Sequence, residues 1–112
     1  MTQTINIKQY DLEDRTLKFA KDVRFFVKSL PYSVSNSEDG KQLVRSSGSI
    51  GANYIEANES LSKKDFVLRI KISKKEAKES RFWLRLLGAS ANLINECNEL
   101  MKIFGAIIEK SK

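Results

Sequence analysis

Proline occurs once in this chain, at Pro31, and only five glycines accompany it among 112 residues. Folds built from β-strands need more turn-forming residues, so this scarcity favours a helical protein. Apolar residues recur every three or four positions in four separate stretches, which is the spacing of one face of an α-helix. Because short connections favour antiparallel neighbours, the sequence predicts an all-α fold, an antiparallel up-down four-helix bundle, as a single domain over residues 1–112.

The predicted helices span about residues 11–30, 38–58, 63–88 and 92–110. Pro31 ends the first helix, because the residue before a proline is disfavoured in helical geometry. Asn36 or Ser37 is the expected cap of the second helix, and Ser62 opens the third as part of a motif that resembles a capping box. Residues 1–9 are expected to form a loose tail.

The middle of the second predicted helix, residues 46–53, consists almost entirely of small residues. Gly48 and Gly51 each cost about 1 kcal/mol relative to alanine in a helix, so a flexible loop is an alternative. The apolar spacing nevertheless continues through the stretch, from Leu43 to Ile50 and Tyr54. We therefore predict an unbroken helix there, whose small side chains let a neighbouring backbone approach closely.

The excess positive charge of the chain lies in one helix. The chain has 20 Lys and Arg against 14 Asp and Glu, a net charge of +6, and residues 63–85 alone hold nine basic and three acidic residues. On a helical wheel at about 100° per residue, six of these cations fall within an arc of about 100°. With the neighbouring Lys75, we call them the basic ridge: Lys64, Lys71, Lys74, Lys75, Lys78, Arg81 and Arg85.

A row of cations on a helix suits contact with the phosphates of a nucleic acid without regard to sequence, since each contact releases counterions. The alternative is a solvated face that only keeps an oligomer soluble. The one aromatic residue near the basic ridge, Phe82, lies at its margin, so the sequence gives little support to base stacking.

The third helix also carries two apolar sectors about 150° apart on the wheel. The first consists of Phe66, Ile70, Ala77 and Leu84, and the second of Leu68, Ile72, Trp83 and Leu86. One stripe is enough for a helix in a monomeric bundle, so the second sector suggests a subunit contact. One wide core stripe is the alternative.

Four polar residues recur beside the apolar stripe of the second helix: Arg45, Ser49, Asn53 and Glu56. We predict that they form a buried structural network with Arg69, Glu76 or Glu79 of the third helix. A catalytic carboxylate pair of Glu56 and Glu79 is the enzymatic alternative, but the chain has no histidine to support it. We therefore expect no catalytic residues, no metal ligands, no cofactor and no small-molecule substrate.

Cys97 is the single cysteine, so the chain forms no internal disulfide. Its apolar runs are too short for a membrane span, and its first ten residues carry no signal pattern. We expect a cytoplasmic protein without a membrane partner.

Two runs of the sequence resemble a known family. Residues 43–57 look like the Arg…Ser-Ile-x-x-Asn-Ile-x-Glu core of the bacterial four-helix bundle proteins encoded in 23S rRNA intervening sequences. Residues 75–87 are similar to the Lys-Glu-Ala…Glu…Tyr-Trp-Leu…Leu-Leu stretch of that family. The chain departs from the pattern at Asn58, where many members have glycine, and at Phe82, which replaces tyrosine.

The resemblance implies a ring-like homopentamer, in which no catalytic residues carry over. The related accessory proteins of diversity-generating retroelements have this form and bind nucleic acid and a reverse transcriptase. We accordingly expect a non-catalytic, homo-oligomeric nucleic-acid-binding protein, with RNA rather than DNA as the expected ligand. The alternative is an oligomeric scaffold that recruits a protein partner and binds no nucleic acid.

Overall fold

The structure is a computed structural model that describes residues 12–112 in full and residues 2–11 only as part of the first helix. Its elements are α1 (Thr2–Ser29), α2 (Val34–Asn58), α3 (Lys63–Leu86) and α4 (Ala91–Lys110). No strand occurs between Thr2 and Lys112. The all-helical prediction is confirmed, whereas the expected loose tail over residues 1–9 lies outside the residues described in full.

Consecutive helices run antiparallel, as the contacts between α3 and α4 illustrate. Arg81 is hydrogen-bonded to Asn98, and the ammonium of Lys74, two helical turns earlier in α3, lies beside Gly105. The contacts thus move from Asn98 forward to Gly105 in α4 as they move from Arg81 back to Lys74 in α3, so the two helices are antiparallel. The largest interface lies between α2 and α3, and the smallest between α1 and α4.

The core is the set of apolar residues that the helical spacing selects. Its buried members come from all four helices: Leu12, Phe19, Val23, Leu43, Ile50, Tyr54, Ala57, Ile70, Ala77, Leu84, Cys97, Leu100 and Phe104. The ring of Tyr54 meets that of Phe104 at a centroid distance of 6.2 Å, which joins α2 to α4. Burial of this set supplies the main drive for the bundle to form.

The N-terminus of α2 differs from the prediction. Ser33, and not Asn36 or Ser37, caps the helix, with an extended backbone and a side-chain oxygen that accepts a hydrogen bond from the Asn36 backbone nitrogen at 3.0 Å. Asn36 lies within the first turn instead, and its side-chain amide donates to the carbonyl of Pro31 at 3.0 Å. The helix begins early because Ser33 satisfies the first free backbone donors as soon as the proline turn ends.

The ends of α3 follow from local sequence. Ser62 caps the helix by accepting a hydrogen bond from the Asp65 backbone nitrogen at 3.1 Å, as predicted. The helix ends at Leu86, and Gly88 follows with a φ of 73°, a left-handed conformation that glycine adopts without strain. The chain then turns back to start α4 at Ala91.

The small residues of α2 lie inside an unbroken helix that packs between two neighbours. On the side of α1, Gly51 lies against Thr16. On the side of α3, the buried hydroxyls of Ser46 and Ser80 are 2.8 Å apart, and Ser73 donates to the carbonyl of Ile50 at 2.9 Å. The small side chains thus let the three helices pack closely. The stabilisation from this packing outweighs the low helix propensity of these residues.

Candidate nucleic-acid interface

Packing of α3 against the bundle leaves the basic ridge in solvent. Ile70, Ala77 and Leu84 have no exposed surface, and Ser73 and Ser80 are buried beside them. These residues share one face because they are spaced by three, four or seven positions. The cations of the basic ridge lie on a different face of the same helix.

The structure exposes most of the predicted cations. Six are exposed to solvent, namely Lys64, Lys71, Lys74, Lys75, Lys78 and Arg85, whereas Arg81 is partly buried. Within residues 12–112, none of these seven side chains forms an ion pair with a carboxylate inside 4 Å. The basic ridge therefore presents positive charge without a direct ion pair, although Lys74 lies near Glu109 and Lys75 near Glu79.

Arg81 differs from the other members of the basic ridge because α4 holds it in place. Its Nη1 donates to Oδ1 of Asn98 at 2.6 Å. An amide partner fixes the position of the guanidinium without neutralising its charge. Arg81 can therefore meet a phosphate with less loss of side-chain freedom than a lysine would incur.

A groove between α3 and α4 adds Lys102, which is ion-paired with Glu99 at 3.5 Å, to the cations beside the basic ridge. It encloses about 470 Å³ and is lined by Lys74, Arg81, Asn98, Met101, Lys102 and Gly105. Gly105 leaves room for Lys74, whose ammonium lies 3.4 Å from where a β-carbon would stand. Lys102 is absent from the predicted site, because only the register of α4 against α3 brings it to this groove.

The acidic residues of α3 point away from the basic ridge. Glu76 and Glu79 turn toward α2, where Arg45 forms ion pairs with both carboxylates, at 3.6 Å for Glu76. Asp65 lies in the first turn of the helix. The helix thus places Glu76 and Glu79 beside Arg45 of α2, while the cations of the basic ridge form no ion pair within 4 Å among the described residues.

Arg45 and Glu79 form the first part of the predicted polar network, although the side chain of Arg45 is 51% exposed and not buried as predicted. Oε2 of Glu79 accepts hydrogen bonds from Arg45 and from the indole nitrogen of Trp83, the latter at 3.1 Å. Burial alone would raise the pKa of Glu79, but the hydrogen bonds from Trp83 and Arg45 outweigh it and hold that pKa below its usual range. Glu76 is buried, and its Oε1 accepts no hydrogen bond from the described residues.

Asn53 and Ser49 form the second part. The amide nitrogen of Asn53 donates to the hydroxyl and to the carbonyl of Ser49, both at 2.9 Å, and its oxygen accepts from Nη1 of Arg69 at 3.0 Å. The fourth predicted member, Glu56, is exposed, and its carboxylate has no ion pair or hydrogen bond within residues 12–112. The prediction for Glu56 is therefore wrong, because its side chain lies on the solvent-exposed side of α2.

The second apolar sector of α3 is partly exposed in the single chain. Leu68 and Leu86 are 55% and 57% exposed, and Ile72 and Trp83 are half-buried. The first sector, in contrast, belongs to the core or packs against it. Trp83 of the second sector also packs against the core, so Leu68, Ile72 and Leu86 are the part of that sector that forms a separate surface.

Other kinds of chemistry find little support in the described part of the chain. Residues 12–112 contain no cluster of three or more side chains able to ligate a metal ion. Cys97 is fully buried, and burial raises the pKa of its thiol to about 12 despite the nearby charge of Arg81. None of the described helices combines the length and apolar character needed to cross a membrane.

Known proteins similar to the chain agree with the four-helix architecture. The sequence model described as 23S rRNA-intervening sequence protein matches residues 8–109. Among solved structures, the chain is similar to a protein of unknown function from the S23 ribosomal protein family of Bacteroides thetaiotaomicron. The two share 32% sequence identity and a TM-score of 0.78 over 91% of this chain and 98% of that one. No curated protein matches the chain.

Proposed function

The chain belongs to the 23S rRNA-intervening sequence protein family, and from that premise we propose that it is a non-catalytic, homo-oligomeric nucleic-acid-binding protein. It contacts phosphates through the basic ridge and resides in the cytoplasm. The observation that carries the proposal is the distribution of charge on α3, where Glu76 and Glu79 pair with Arg45 while the ridge cations form no ion pair within 4 Å among the described residues. RNA is the favoured ligand because the description of the family refers to rRNA.

Unpaired cations on a helix do not by themselves require a ligand, since lysines also solubilise a surface. Two features favour a binding surface here. The guanidinium of Arg81 is fixed by Asn98, and Lys74 and Lys102 converge with it on one groove. A surface that served solubility alone would gain nothing from holding an arginine in one geometry.

Assembly into a homo-oligomer is part of the proposal. Leu68 and Leu86 expose more than half of their surface, and burial between subunits would remove it from water. The buried Oε1 of Glu76, one turn from Ile72, accepts no hydrogen bond from the described residues, and a donor from a second subunit would satisfy it. At +6 per chain, the pentamer implied by the sequence resemblance would carry about +30, so that weak phosphate contacts add up.

The test is a titration of an rRNA fragment with the protein across a salt series. Three exposed lysines are replaced in one variant, Lys71→Gln, Lys74→Gln and Lys78→Gln, which keeps good helix formers. We expect weaker binding to every RNA sequence and a plot of log K against log salt that is flatter by about 2. The matched control replaces Lys21, Lys28 and Lys41, which are exposed on α1 and α2, and should leave the slope almost unchanged.

A protein scaffold without nucleic-acid binding is the second candidate, and the exposed Leu68, Phe82 and Leu86 favour it. If the wild-type protein binds no RNA at about 0.15 M salt, the scaffold is the better description. If the wild type binds and the ridge variant binds equally well, the contact surface lies elsewhere.

A further inference from the structure

Phe82 is an aromatic ring exposed within a positively charged surface. It is 58% exposed, although a residue of its type is usually buried. Lys78 lies one helical turn before it and Arg85 one turn after it, and residues at these spacings are neighbours on a helix. The ring is therefore flanked by two cations that have no carboxylate partner.

The ring of Phe82 is also held in place. It contacts Trp83 with centroids 5.0 Å apart and an interplanar angle of 76°, an edge-on arrangement. Trp83 in turn donates its indole N–H to Glu79 at 3.1 Å, and Glu79 is bound to Arg45. A chain of contacts from α2 thus supports an exposed ring beside the basic ridge.

We propose that Phe82 is a stacking site for an unpaired base, and that the ligand of the basic ridge is a single-stranded RNA and not a duplex. The inference rests on the proposed function. Aromatic side chains beside backbone-binding cations are the usual means of holding a single strand, because every base has a face to stack. In a duplex those faces are covered by neighbouring bases, so the ring would have no partner.

The expected preference is opposite to what charge alone would give. Duplex RNA has a higher density of phosphates than a single strand, so a purely electrostatic surface favours the duplex. Stacking of one base adds at least about fivefold to the affinity for a single strand. Preference for the single strand is therefore diagnostic of the ring.

The experiment compares a labelled uridine-rich 12-nucleotide single strand with a 12-base-pair RNA duplex by fluorescence anisotropy at equal salt. We expect the wild-type protein to bind the single strand more tightly than the duplex, and loss of the ring to lower the single-strand affinity by at least about fivefold. Phe82→Leu keeps an apolar side chain but removes the π-face, and it should abolish this preference without changing affinity for the duplex. Phe82→Trp should restore it. Phe25→Leu makes the same change at an exposed aromatic residue of α1, away from the basic ridge, and should leave the preference intact.

The fluorescence of Trp83 supplies an independent measurement, because Trp83 is the single tryptophan of the chain and its ring contacts Phe82. Binding of the single strand should quench its fluorescence, and binding of the duplex should not. In the Phe82→Leu variant the quenching should disappear, while circular dichroism shows the same helical content.

The outcomes separate this inference from the proposed function. Equal or tighter binding of the duplex by the wild type, or no loss of preference in Phe82→Leu, overturns the stacking site alone. The stacking site is also overturned if light scattering shows that Phe82→Leu changes the oligomeric state and the variant loses affinity for both RNA probes equally. Phe82 would then belong to a contact between subunits. If the wild type binds neither probe, the proposed function fails as well.

Discussion

The side chain of Thr16 on α1 occupies the space beside Gly51 on α2. A β-carbon at residue 51 would lie 2.8 Å from the hydroxyl oxygen of Thr16 and 3.2 Å from its Cβ. Thr16 is 2% exposed, and its hydroxyl donates to the carbonyl of Glu13 at 2.9 Å, so it has little freedom to move away. The glycine is therefore required by the packing of α1 against α2, and not by a turn.

We expect Gly51→Ala to lower the free energy of unfolding by about 1–2 kcal/mol, because overpacking outweighs the gain of about 1 kcal/mol in helix propensity. Urea denaturation followed by circular dichroism measures the change. Gly48→Ala is the control, since its β-carbon would meet only the flexible, exposed guanidinium of Arg24 at 3.4 Å. It should stabilise the protein by up to about 1 kcal/mol. Equal stabilisation by both substitutions would contradict the packing argument.

Glu79 should contribute stability in a pH-dependent manner. Glu79→Gln weakens the pairing with Arg45 and the hydrogen bond from Trp83, and we expect a loss of about 1 kcal/mol at pH 7. The pKa of Glu79 is lowered in the folded state from its ordinary 4.5. Its stabilising effect is therefore complete above pH 4.5 and disappears as the pH falls through the folded-state pKa. The difference between wild type and variant should shrink in the same range.

Glu56→Gln is the control for Glu79→Gln, because it removes the same charge from α2 at an exposed position. We expect it to change the free energy of unfolding by less than about 0.5 kcal/mol at any pH. Comparable losses in the two variants, or a loss in Glu79→Gln that persists unchanged at pH 3, would show that Glu79 acts by some means other than its ionised contacts.

The buried hydroxyls of Ser46 and Ser80 form a pair between α2 and α3 at 2.8 Å. Ser80→Ala should cost about 1–2 kcal/mol of unfolding free energy, since the hydroxyl of Ser46 loses its best partner in the core. Ser46→Ala together with Ser80→Ala should cost less than the sum of the single changes, because no hydroxyl is then left unpaired. A double-mutant cycle by urea denaturation measures this coupling. Strict additivity would show that the pair is energetically silent.

Cys97 should be inert in the folded protein. The residue has no exposed surface, and the pKa of its thiol is raised to about 12, so little thiolate is present at neutral pH. Labelling with a thiol reagent at pH 8 should therefore require opening of the core and become fast only in denaturant. Complete labelling of the native protein within seconds would contradict the burial of this side chain.

Much of the fold is predictable from local sequence because helical periodicity decides which residues are buried. Leu43, Ile50 and Tyr54 keep their spacing through the glycines of α2, and all three are in the core. The cap of α3 at Ser62 also follows from a local motif. The cap of α2 does not, because the three serines and one asparagine that follow Pro31 are chemically similar candidates, and only the path of the turn selects Ser33.

The candidate site is less predictable because it depends on how helices are placed against each other. The exposure of the ridge lysines follows from the wheel of α3 alone. In contrast, the exposure of Glu56 depends on how α2 is rotated against α3, and the fixed geometry of Arg81 depends on Asn98 of α4. No pattern within one helix carries this information. For the same reason the sequence does not predict Lys102 as part of the site.

Lys102 provides the last test, because it lines the groove but is not a member of the basic ridge. Its substitution therefore tests the contribution of the groove alone. Its side chain is 76% exposed and lines the groove with Lys74 and Arg81. If RNA follows the groove, Lys102→Gln should reduce affinity and flatten the plot of log K against log salt by about 0.7, as one lost phosphate contact does for a single strand. Lys110→Gln, at an exposed position in the last turn of the same helix, is the matched control and should change neither. Equal effects of the two substitutions would show that Lys102 acts only through net charge, and that the RNA contacts are confined to α3.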